Sequence, residues 1–257
     1  MRILILGAGK MGSFFADLLS FDHEVAILDT NPKQLRFVYN VQRLMHPKEV
    51  EEFDPEMVIN AATLSLTIKA FNSILPYISS RCILSDIASV KTDLKQFYEE
   101  VKRPFVYTHP MFGPTFASLN DLSSQNAIII SESDHMGKVF FRDVYSQVKL
   151  NVFEYSFEKH DETIAYSLSV PFASTLVFAA TMKHQDAPGT TFKKHMNIAK
   201  GLLSEDDYLL TEILFNPYTI SQVEGIRGRL KELLSIIENR DSRRMKEFLQ
   251  QVRKNIE

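Results

Sequence analysis

The residue best suited to chemistry in this sequence is His109, which lies in the stretch Tyr107-Thr108-His109-Pro110-Met111-Phe112-Gly113-Pro114. A short apolar run at residues 105–106 precedes it and is typical of a strand. Two prolines and a glycine then disfavour further strand or helix, so we expect His109 where a strand meets a rigid loop. We predict an accessible imidazole there, suited to proton transfer because imidazole titrates near neutral pH. The alternative is a hydrogen-bonded histidine that only caps the strand.

A glycine-rich loop near the N-terminus predicts a dinucleotide site. The apolar run of residues 3–6 is typical of a buried parallel strand, Gly7-Ala8-Gly9-Lys10-Met11-Gly12 follows at once, and residues 13–19 have helical spacing. In this context the first glycine allows a tight turn, the second lets the backbone approach a pyrophosphate, and the third lets helix and strand pack closely. The N-terminus of that helix would present free N–H groups to the phosphates, and Lys10 and Met11 of the loop are also predicted to bind the cofactor. The alternative is a glycine-rich turn without a ligand.

An acid at the end of the second predicted strand indicates which dinucleotide would bind. Asp29 ends the strand at residues 23–28 and lies 17 positions after Gly12, close to the interval expected for an acid that binds ribose hydroxyls. A carboxylate there would repel a 2′-phosphate, so the sequence favours NAD over NADP. Lys33 is the nearby cation that could soften this preference. The alternative is a solvated acid in the turn before Asn31-Pro32.

Two later strand ends carry small or polar residues that could face the same crevice. The strand at residues 56–62 ends in Ala61 and Ala62, which would let the chain pass close to the nicotinamide half of a cofactor or would simply pack tightly. The strand at residues 81–84 is followed by a loop that contains Ser89. This serine either caps a helix that starts near Val90 or places its hydroxyl between substrate and nicotinamide.

The pattern of elements predicts an α/β fold with two domains. Up to residue 155, short apolar strands alternate with helices, which is typical of a doubly wound parallel sheet of the Rossmann type. From residue 161 onward we find helical periodicity and no convincing strand. We therefore predict a dinucleotide-binding domain at residues 1–155 and an all-helical C-terminal domain at residues 156–257. Pro171 lies inside one helical pattern and predicts a kink or break there.

Composition excludes several function classes. The chain has 257 residues, 45% hydrophobic and 24% charged, and a net charge of -3 gives no argument for nucleic acid or an acidic membrane surface. The single cysteine, Cys82, precludes an intramolecular disulfide and fits a reducing compartment. There is neither an H-E-x-x-H nor a C-x-x-C pattern to suggest a metal site. The N-terminal apolar run is too short for a secretory signal, and no apolar stretch approaches a membrane span, so we expect a cytoplasmic protein.

Two motifs resemble a known family. His109-Pro110-Met111-Phe112-Gly113-Pro114 resembles the catalytic-histidine motif of the prephenate dehydrogenase family, and Ser85-Asp86-Ile87-Ala88-Ser89-Val90-Lys91 resembles its D-x-x-S-V-K segment. The resemblance implies a homodimer formed through the helical domain. It also implies oxidative decarboxylation of prephenate to 4-hydroxyphenylpyruvate with NAD, a step toward tyrosine. His109 would accept the proton of the ring hydroxyl, and Ser89 would help to orient His109 and the substrate.

The chain departs from the family in its helical half, where the substrate carboxylates would be held. Relatives usually carry an arginine in the helix that matches residues 192–203, whereas this chain has lysines there, among which Lys193 and Lys200 are candidates. Lysine binds a carboxylate as a point charge and cannot form the bidentate fork. Ser169 stands where many relatives have a histidine, and His160 is interpreted only as a helix-start residue.

Three alternatives to a prephenate dehydrogenase remain, of which the departures bear on the first. The first is an arogenate dehydrogenase, which acts on the amino analogue of prephenate. The second is another two-domain NAD(P)-dependent dehydrogenase, such as a hydroxyacid dehydrogenase or imine reductase. The third is a protein that senses NAD without turnover, against which the intact Ser89 and His109 argue.

Overall fold

The structure is a computed structural model that describes residues 1–36, 38–113 and 122–256, with only the backbone of Thr92 and Asp93. Pro114, the last residue of the histidine motif, lies outside the described residues. The chain divides into two compact units, Met1–Asp161 and Glu162–Glu257. The division falls between two residues of one helix, Phe157–Ile164.

The first unit is built on a sheet of eight strands, within the part of the chain described. The strands are β1 (Arg2–Leu6), β2 (Glu24–Leu28), β3 (Gln42–Leu44), β4 (Met57–Asn60), β5 (Ile83–Asp86), β6 (Phe105–Pro110), β7 (Asn126–Ile130) and β8 (Asn151–Tyr155). The helices are α1 (Lys10–Leu19), α2 (Pro32–Leu35), α3 (Val50–Phe53), α4 (Thr67–Ile74), α5 (Thr92–Val101), α6 (His135–Gln147) and α7 (Phe157–Ile164).

The sheet confirms the predicted α/β Rossmann-type fold. Its strand order is β3-β2-β1-β4-β5-β6-β7-β8, and the strands from β3 to β6 pair in parallel. The last two strands run the other way, because β7 pairs antiparallel with β6 and β8 pairs parallel with β7. A short apolar run predicts a strand but does not specify the direction in which it runs. Because β7 is antiparallel to β6, no helical crossover is needed between the two strands. The sheet is therefore mostly rather than wholly parallel.

The core lies on both faces of this sheet. Alternate residues of β1 point to opposite sides, with Ile3 and Ile5 packing in one cluster and Leu4 and Leu6 in the other. One cluster includes Phe15 of α1 and Tyr145 of α6, and the opposite cluster includes side chains of α3, α4 and α5. Because both faces are covered, the strands are continuous apolar runs, which is why the sequence predicted them.

The segment after β2 is where the local prediction was least accurate. The sequence of residues 33–39 predicts a helix, but α2 spans only Pro32–Leu35, and the short strand β3 follows. The helix begins where Pro32 occupies a first-turn position and the Asn31 side chain accepts a hydrogen bond from the Lys33 N–H. β3 was missed because its sequence is polar and mostly exposed at the edge of the sheet.

The second unit is helical. After α7 comes a π-helical segment (Ala165–Ser169), followed by α8 (Val170–Thr181), α9 (Thr190–Leu202), α10 (Asp207–Leu214), α11 (Thr219–Glu238) and α12 (Ser242–Lys254). Pro171 lies in the first turn of α8, so the predicted break is realised as the π-helical segment just before it. The helical run Phe157–Thr181 is long and apolar enough to cross a membrane by length and composition alone. This corrects our expectation that no such stretch exists.

Candidate active site at the carboxyl edge of the sheet

The strand register brings the predicted site residues of the first unit to one edge of the sheet. Four adjacent strands are in register near their carboxyl ends: Leu6 of β1 pairs with Asn60 of β4, Asn60 with Asp86 of β5, and Asp86 with Tyr107 of β6. The residues that follow them along the chain therefore lie at the same carboxyl edge. In open α/β sheets this edge forms the crevice in which ligands bind.

The three glycines of the loop have three separable roles. Gly7 adopts φ +94°, a conformation that side chains disfavour, and its N–H donates to the Leu28 carbonyl at 2.9 Å. A Cβ on Gly12 would lie 1.9 Å from the Gly7 carbonyl oxygen, so only glycine lets α1 pass this close to the loop. A Cβ on Gly9 would meet nothing within 4 Å. The loop is thus open at the N-terminus of α1, where a phosphate could approach the helix N–H groups.

A cleft of about 380 Å³ lies beside this loop. The cleft is lined by predicted site residues from the ends of β1, β2 and β4, namely Gly7, Gly9, Asp29, Ala61 and Ala62. The structure thus brings these three strand ends together. Lys10 and Met11 begin α1 immediately after Gly9. Sequence reasoning missed Lys69 of α4, which lines the same cleft and adds a second cation to the Lys33 we had considered.

The Asp29 carboxylate is held in place by two backbone N–H groups. Ala8 donates to Oδ2 and Asn31 donates to Oδ1, each at 2.8 Å. A carboxylate offers about four acceptor positions, so both oxygens can accept further hydrogen bonds. Asp29 therefore stabilises the turn that follows β2. Its carboxylate also lines the cleft, where it could accept hydrogen bonds from the two hydroxyls of a ribose.

The imidazole of His109 is buried, which corrects our prediction that it is accessible. His109 lies near the end of β6, and 4% of the residue is exposed. Burial lowers the pKa of His109 well below its ordinary value, and the neighbouring His160 and Lys91 lower it further. The side chain is consequently neutral at neutral pH and has a lone pair with which to accept a proton.

A second histidine contacts His109 and was missed as a site residue. His160 of α7 is fully buried, and its Nε2 lies 3.1 Å from Nδ1 of His109. Its own Nδ1 lies 3.0 Å from Oδ1 of Asp161. Our interpretation of His160 as a helix-start residue was therefore incomplete. The signal available in the sequence is the His160-Asp161 pair itself, but it lies 51 residues from His109 and has no fixed spacing to it.

The D-x-x-S-V-K segment contributes a buried ion pair next to His109. Lys91 and Asp86 are 1% and 0% exposed, and Nζ lies 2.5 Å from Oδ1. Nζ also donates to the carbonyl of Thr108, the residue before His109, at 3.0 Å. Burial lowers the pKa of Lys91, while the nearby Asp86 opposes that shift. The pair thus ties the loop after β5 to the end of β6.

Ser89 lies in the same loop and is partly exposed. The alternative that it caps the following helix is wrong, because α5 begins at Thr92 with Lys91 in the N-cap position. Its hydroxyl is therefore not committed to that cap.

The remaining predicted site residues lie in the helical unit. Lys193 and Lys200 are exposed on α9. Ser169 is fully buried, donates to the Ile213 carbonyl at 3.0 Å and accepts from the Thr219 hydroxyl at 2.8 Å. Within the described residues, no group of three or more His, Cys, Asp or Glu side chains could hold a metal ion.

The fold, the open glycine loop and the acid at the end of β2 define a nucleotide-binding α/β protein of the Rossmann type. The family model described as prephenate dehydrogenase, nucleotide-binding domain, matches residues 18–151. The chain belongs to this prephenate dehydrogenase family.

Similar proteins agree with this assignment. A protein of Methanocaldococcus jannaschii, named probable arogenate/prephenate dehydrogenase, is 26% identical over 201 residues, which are 72% of this chain and 44% of that protein. The T-protein of Haemophilus influenzae is 19% identical over 253 residues, 93% of this chain and 62% of that protein. The chain thus spans less than two thirds of the length of these two curated relatives.

A solved structure has the same fold over the whole chain. A. aeolicus prephenate dehydrogenase, crystallised with hydroxyphenyl propionate and NAD+, is 23% identical with a TM-score of 0.84. The match covers 100% of this chain and 98% of that one.

Proposed function

We propose that this chain is an NAD-dependent dehydrogenase that converts prephenate to 4-hydroxyphenylpyruvate with loss of carbon dioxide. The observation that carries the proposal is a buried neutral histidine on the same sheet edge as an open glycine loop. The glycine loop follows β1, and β1 and β6 are separated by two strands, so their ends lie about 14 Å apart. This distance suits a dinucleotide whose phosphates meet the loop and whose nicotinamide end lies toward His109.

The proposed chemistry assigns proton handling to His109. NAD, when bound, supplies the hydride acceptor. His109 takes the proton of the ring hydroxyl while the carbon that bears this hydroxyl is oxidised to a carbonyl. Loss of carbon dioxide then aromatises the ring and leaves a phenolate. Because burial keeps the pKa of His109 low, its imidazolium returns the proton readily to the phenolate oxygen, and the residue ends neutral. Ser89 would orient the substrate hydroxyl and His109.

Two observations support NAD as the cofactor. Asp29 is oriented by two backbone N–H groups, and it lines the cleft beside the glycine loop. Lys69 lines the same cleft, and its positive charge would partly offset the repulsion between Asp29 and a 2′-phosphate. NAD would still be favoured because the Asp29 carboxylate remains in the cleft.

Replacing Asp29 with alanine should weaken NAD binding and shift the ratio of kcat/KM toward NADP, because repulsion of the 2′-phosphate is removed. Lys69→Ala is the matched control, and it should shift the same ratio the other way. Steady-state kinetics with both cofactors measure the two ratios. An unchanged ratio in the Asp29 variant would show that this carboxylate does not select the cofactor.

A lysine of α9 is proposed to hold a substrate carboxylate. Lys200 and Lys193 are exposed, and within the described residues neither has an ion-pair partner. Ser169, the third candidate, is the weakest because its hydroxyl already makes two hydrogen bonds inside the helical unit.

Lys200→Ala should lower kcat/KM for the substrate by roughly 10- to 150-fold, since a charge-assisted hydrogen bond contributes about 1.5–3 kcal/mol. The loss should appear mainly in KM, with NAD affinity unchanged, and Lys200→Arg should recover part of it. Lys193→Ala provides the comparison, seven residues away on the same helix. If neither alanine variant changes KM by more than about twofold, the carboxylate site lies elsewhere. Two other cations of the helical unit, Arg227 and Arg229 of α11, are then tested.

A homodimer formed through the helical unit is part of the proposal. Large apolar side chains are exposed along this unit, among them Phe215, Ile220, Leu230, Leu234 and Ile237. The apolar helical run Phe157–Thr181 is also mostly exposed. A second copy would cover such a surface in a cytoplasmic protein. Analytical ultracentrifugation and cell fractionation separate this proposal from a monomer or a membrane-bound protein.

One assay tests the function itself. Prephenate and arogenate are each supplied with NAD and with NADP, and reduction of the cofactor is followed by absorbance. We expect the highest kcat/KM with prephenate and NAD. Preference for arogenate would make this an arogenate dehydrogenase. NAD binding without turnover of either compound would contradict the proposal, leaving another dehydrogenase, which a substrate screen would find, or a sensor without turnover.

A further inference from the structure

Three side chains form a hydrogen-bonded series that ends at His109. Asp161 Oδ1 lies 3.0 Å from Nδ1 of His160, and Nε2 of His160 lies 3.1 Å from Nδ1 of His109. Both histidines are buried, at 4% and 0% exposure, whereas the Asp161 side chain is 26% exposed. The two rings meet edge to face, with centroids 5.3 Å apart.

We propose that His160 and Asp161 are positioning residues that fix the tautomer and ring orientation of His109 for the reaction proposed above. The inference rests on that function for its consequence in catalysis, whereas the tautomer itself can be measured without any substrate.

The direction of the hydrogen bonds follows from the chemistry of the groups. An ionised carboxylate only accepts, so Nδ1 of His160 must carry the proton that it donates to Asp161. Neutral His160 then has an unprotonated Nε2, which can only accept. His109 must therefore donate from Nδ1, and its Nε2 is left with the lone pair. The series selects the one tautomer of His109 in which Nε2 can act as the base.

The charges around the series fit a positioning role. When His109 takes up a proton at Nε2, its Nδ1–H remains in place, so no proton has to move along the series. The charged groups that act on the two histidines are Lys91, Asp86 and Asp161. Lys91 opposes the new positive charge on His109, whereas Asp86 and Asp161 act on His160. Asp161 thus supports the required tautomer through its hydrogen bond to His160.

The first test is spectroscopic and needs no turnover. NMR of the isotope-labelled imidazole nitrogens reports which nitrogen of His109 carries the proton, and the signal is assigned by its loss in His109→Asn. We expect Nδ1 protonated and Nε2 bare in the wild type. In His160→Leu and in Asp161→Asn, both tautomers should be populated. His160→Gln retains an amide oxygen near the position of Nε2 and should restore the wild-type pattern.

The second test is kinetic. His160→Leu should lower kcat by roughly 10- to 100-fold, a usual cost of removing the group that orients a functional histidine, while KM and NAD affinity stay close to wild type. The pH profile of kcat/KM should also move, because a neighbour that acts on the pKa of His109 is lost. His160→Gln should recover much of kcat. His23→Leu is the matched control: His23 lies in the first unit, packs against Phe140 and should change neither readout.

The two tests fail in distinguishable ways. If the wild type turns over neither prephenate nor arogenate, the proposed function fails, and the NMR experiment still decides the tautomer. If His109 keeps the same tautomer in His160→Leu and in Asp161→Asn, the positioning role is contradicted. Because Asp161 is partly exposed, its variant gives this answer even if His160→Leu does not fold.

Discussion

Replacing His109 with asparagine is expected to lower kcat by roughly 10²–10⁴-fold, the range for a positioned acid–base group. The asparagine amide can stand near the position of Nδ1 and still donate to His160, but no atom replaces Nε2. The variant therefore removes the proposed base and leaves the neighbouring hydrogen bond. NAD binding should be nearly unchanged, because the glycine loop and Asp29 are untouched.

The measurement combines steady-state kinetics with cofactor titration and urea unfolding. Retained NAD affinity and a stability close to wild type would show that the loss is chemical. His23→Asn is the control for a partly buried histidine in the same unit, and its kcat should not change. A His109→Asn enzyme that keeps more than half of the wild-type kcat would rule out His109 as the base.

Replacing Lys91 with methionine is expected to destabilise the protein by about 3–5 kcal/mol. Methionine fills a similar volume, but Asp86 is left as a buried carboxylate without its cation. Asp86 keeps the N–H of Ala88 and the hydroxyl of Tyr98 as donors, and these hydrogen bonds offset only part of the lost charge. The carbonyl of Thr108 also loses its contact with Nζ.

A double-mutant cycle isolates the pair. Asp86→Asn in the Lys91→Met background removes the unpaired charge, so the double variant should be more stable than the sum of the single effects predicts. The exposed pair of Arg2 and Asp54 is the matched control, and Arg2→Met should cost roughly 0–1 kcal/mol. Urea unfolding measures all four variants. A loss below about 1 kcal/mol in Lys91→Met would contradict a structural role for the pair.

The Lys91 variant also affects His109. The Lys91 cation is one of the groups that lower the pKa of His109, so its removal should raise that pKa. In a variant that remains folded, the acid limb of the kcat/KM profile should then move to higher pH. Burial is the larger cause of the lowered pKa, so the shift should be partial.

The sequence alone determined the features that depend on consecutive residues. Gly7, Gly9 and Gly12 could be assigned separate roles because each role is a backbone requirement within one turn, and a side chain at Gly12 would overlap the Gly7 carbonyl. Asp29 could be assigned to the end of the second strand because one helix and one strand of typical length separate it from the glycine loop. The continuous apolar runs predicted the sheet, since strands covered on both faces have no polar alternation.

The tertiary structure decided what surrounds His109. The motif identified this histidine, but whether its ring is exposed or buried depends on which side chains pack on the end of β6. Packing brings His160 to Nδ1 of His109 from 51 residues away, with Asp161 hydrogen-bonded to the other nitrogen of His160, and it buries the Asp86–Lys91 pair nearby. No local pattern specifies these contacts, because distant residues meet only when the chain is folded. Burial and neighbouring charge set the pKa of an imidazole, and its hydrogen-bond partners set the tautomer. The sequence therefore identified His109 as the candidate base, and we propose that the fold decides which of its nitrogens can accept a proton.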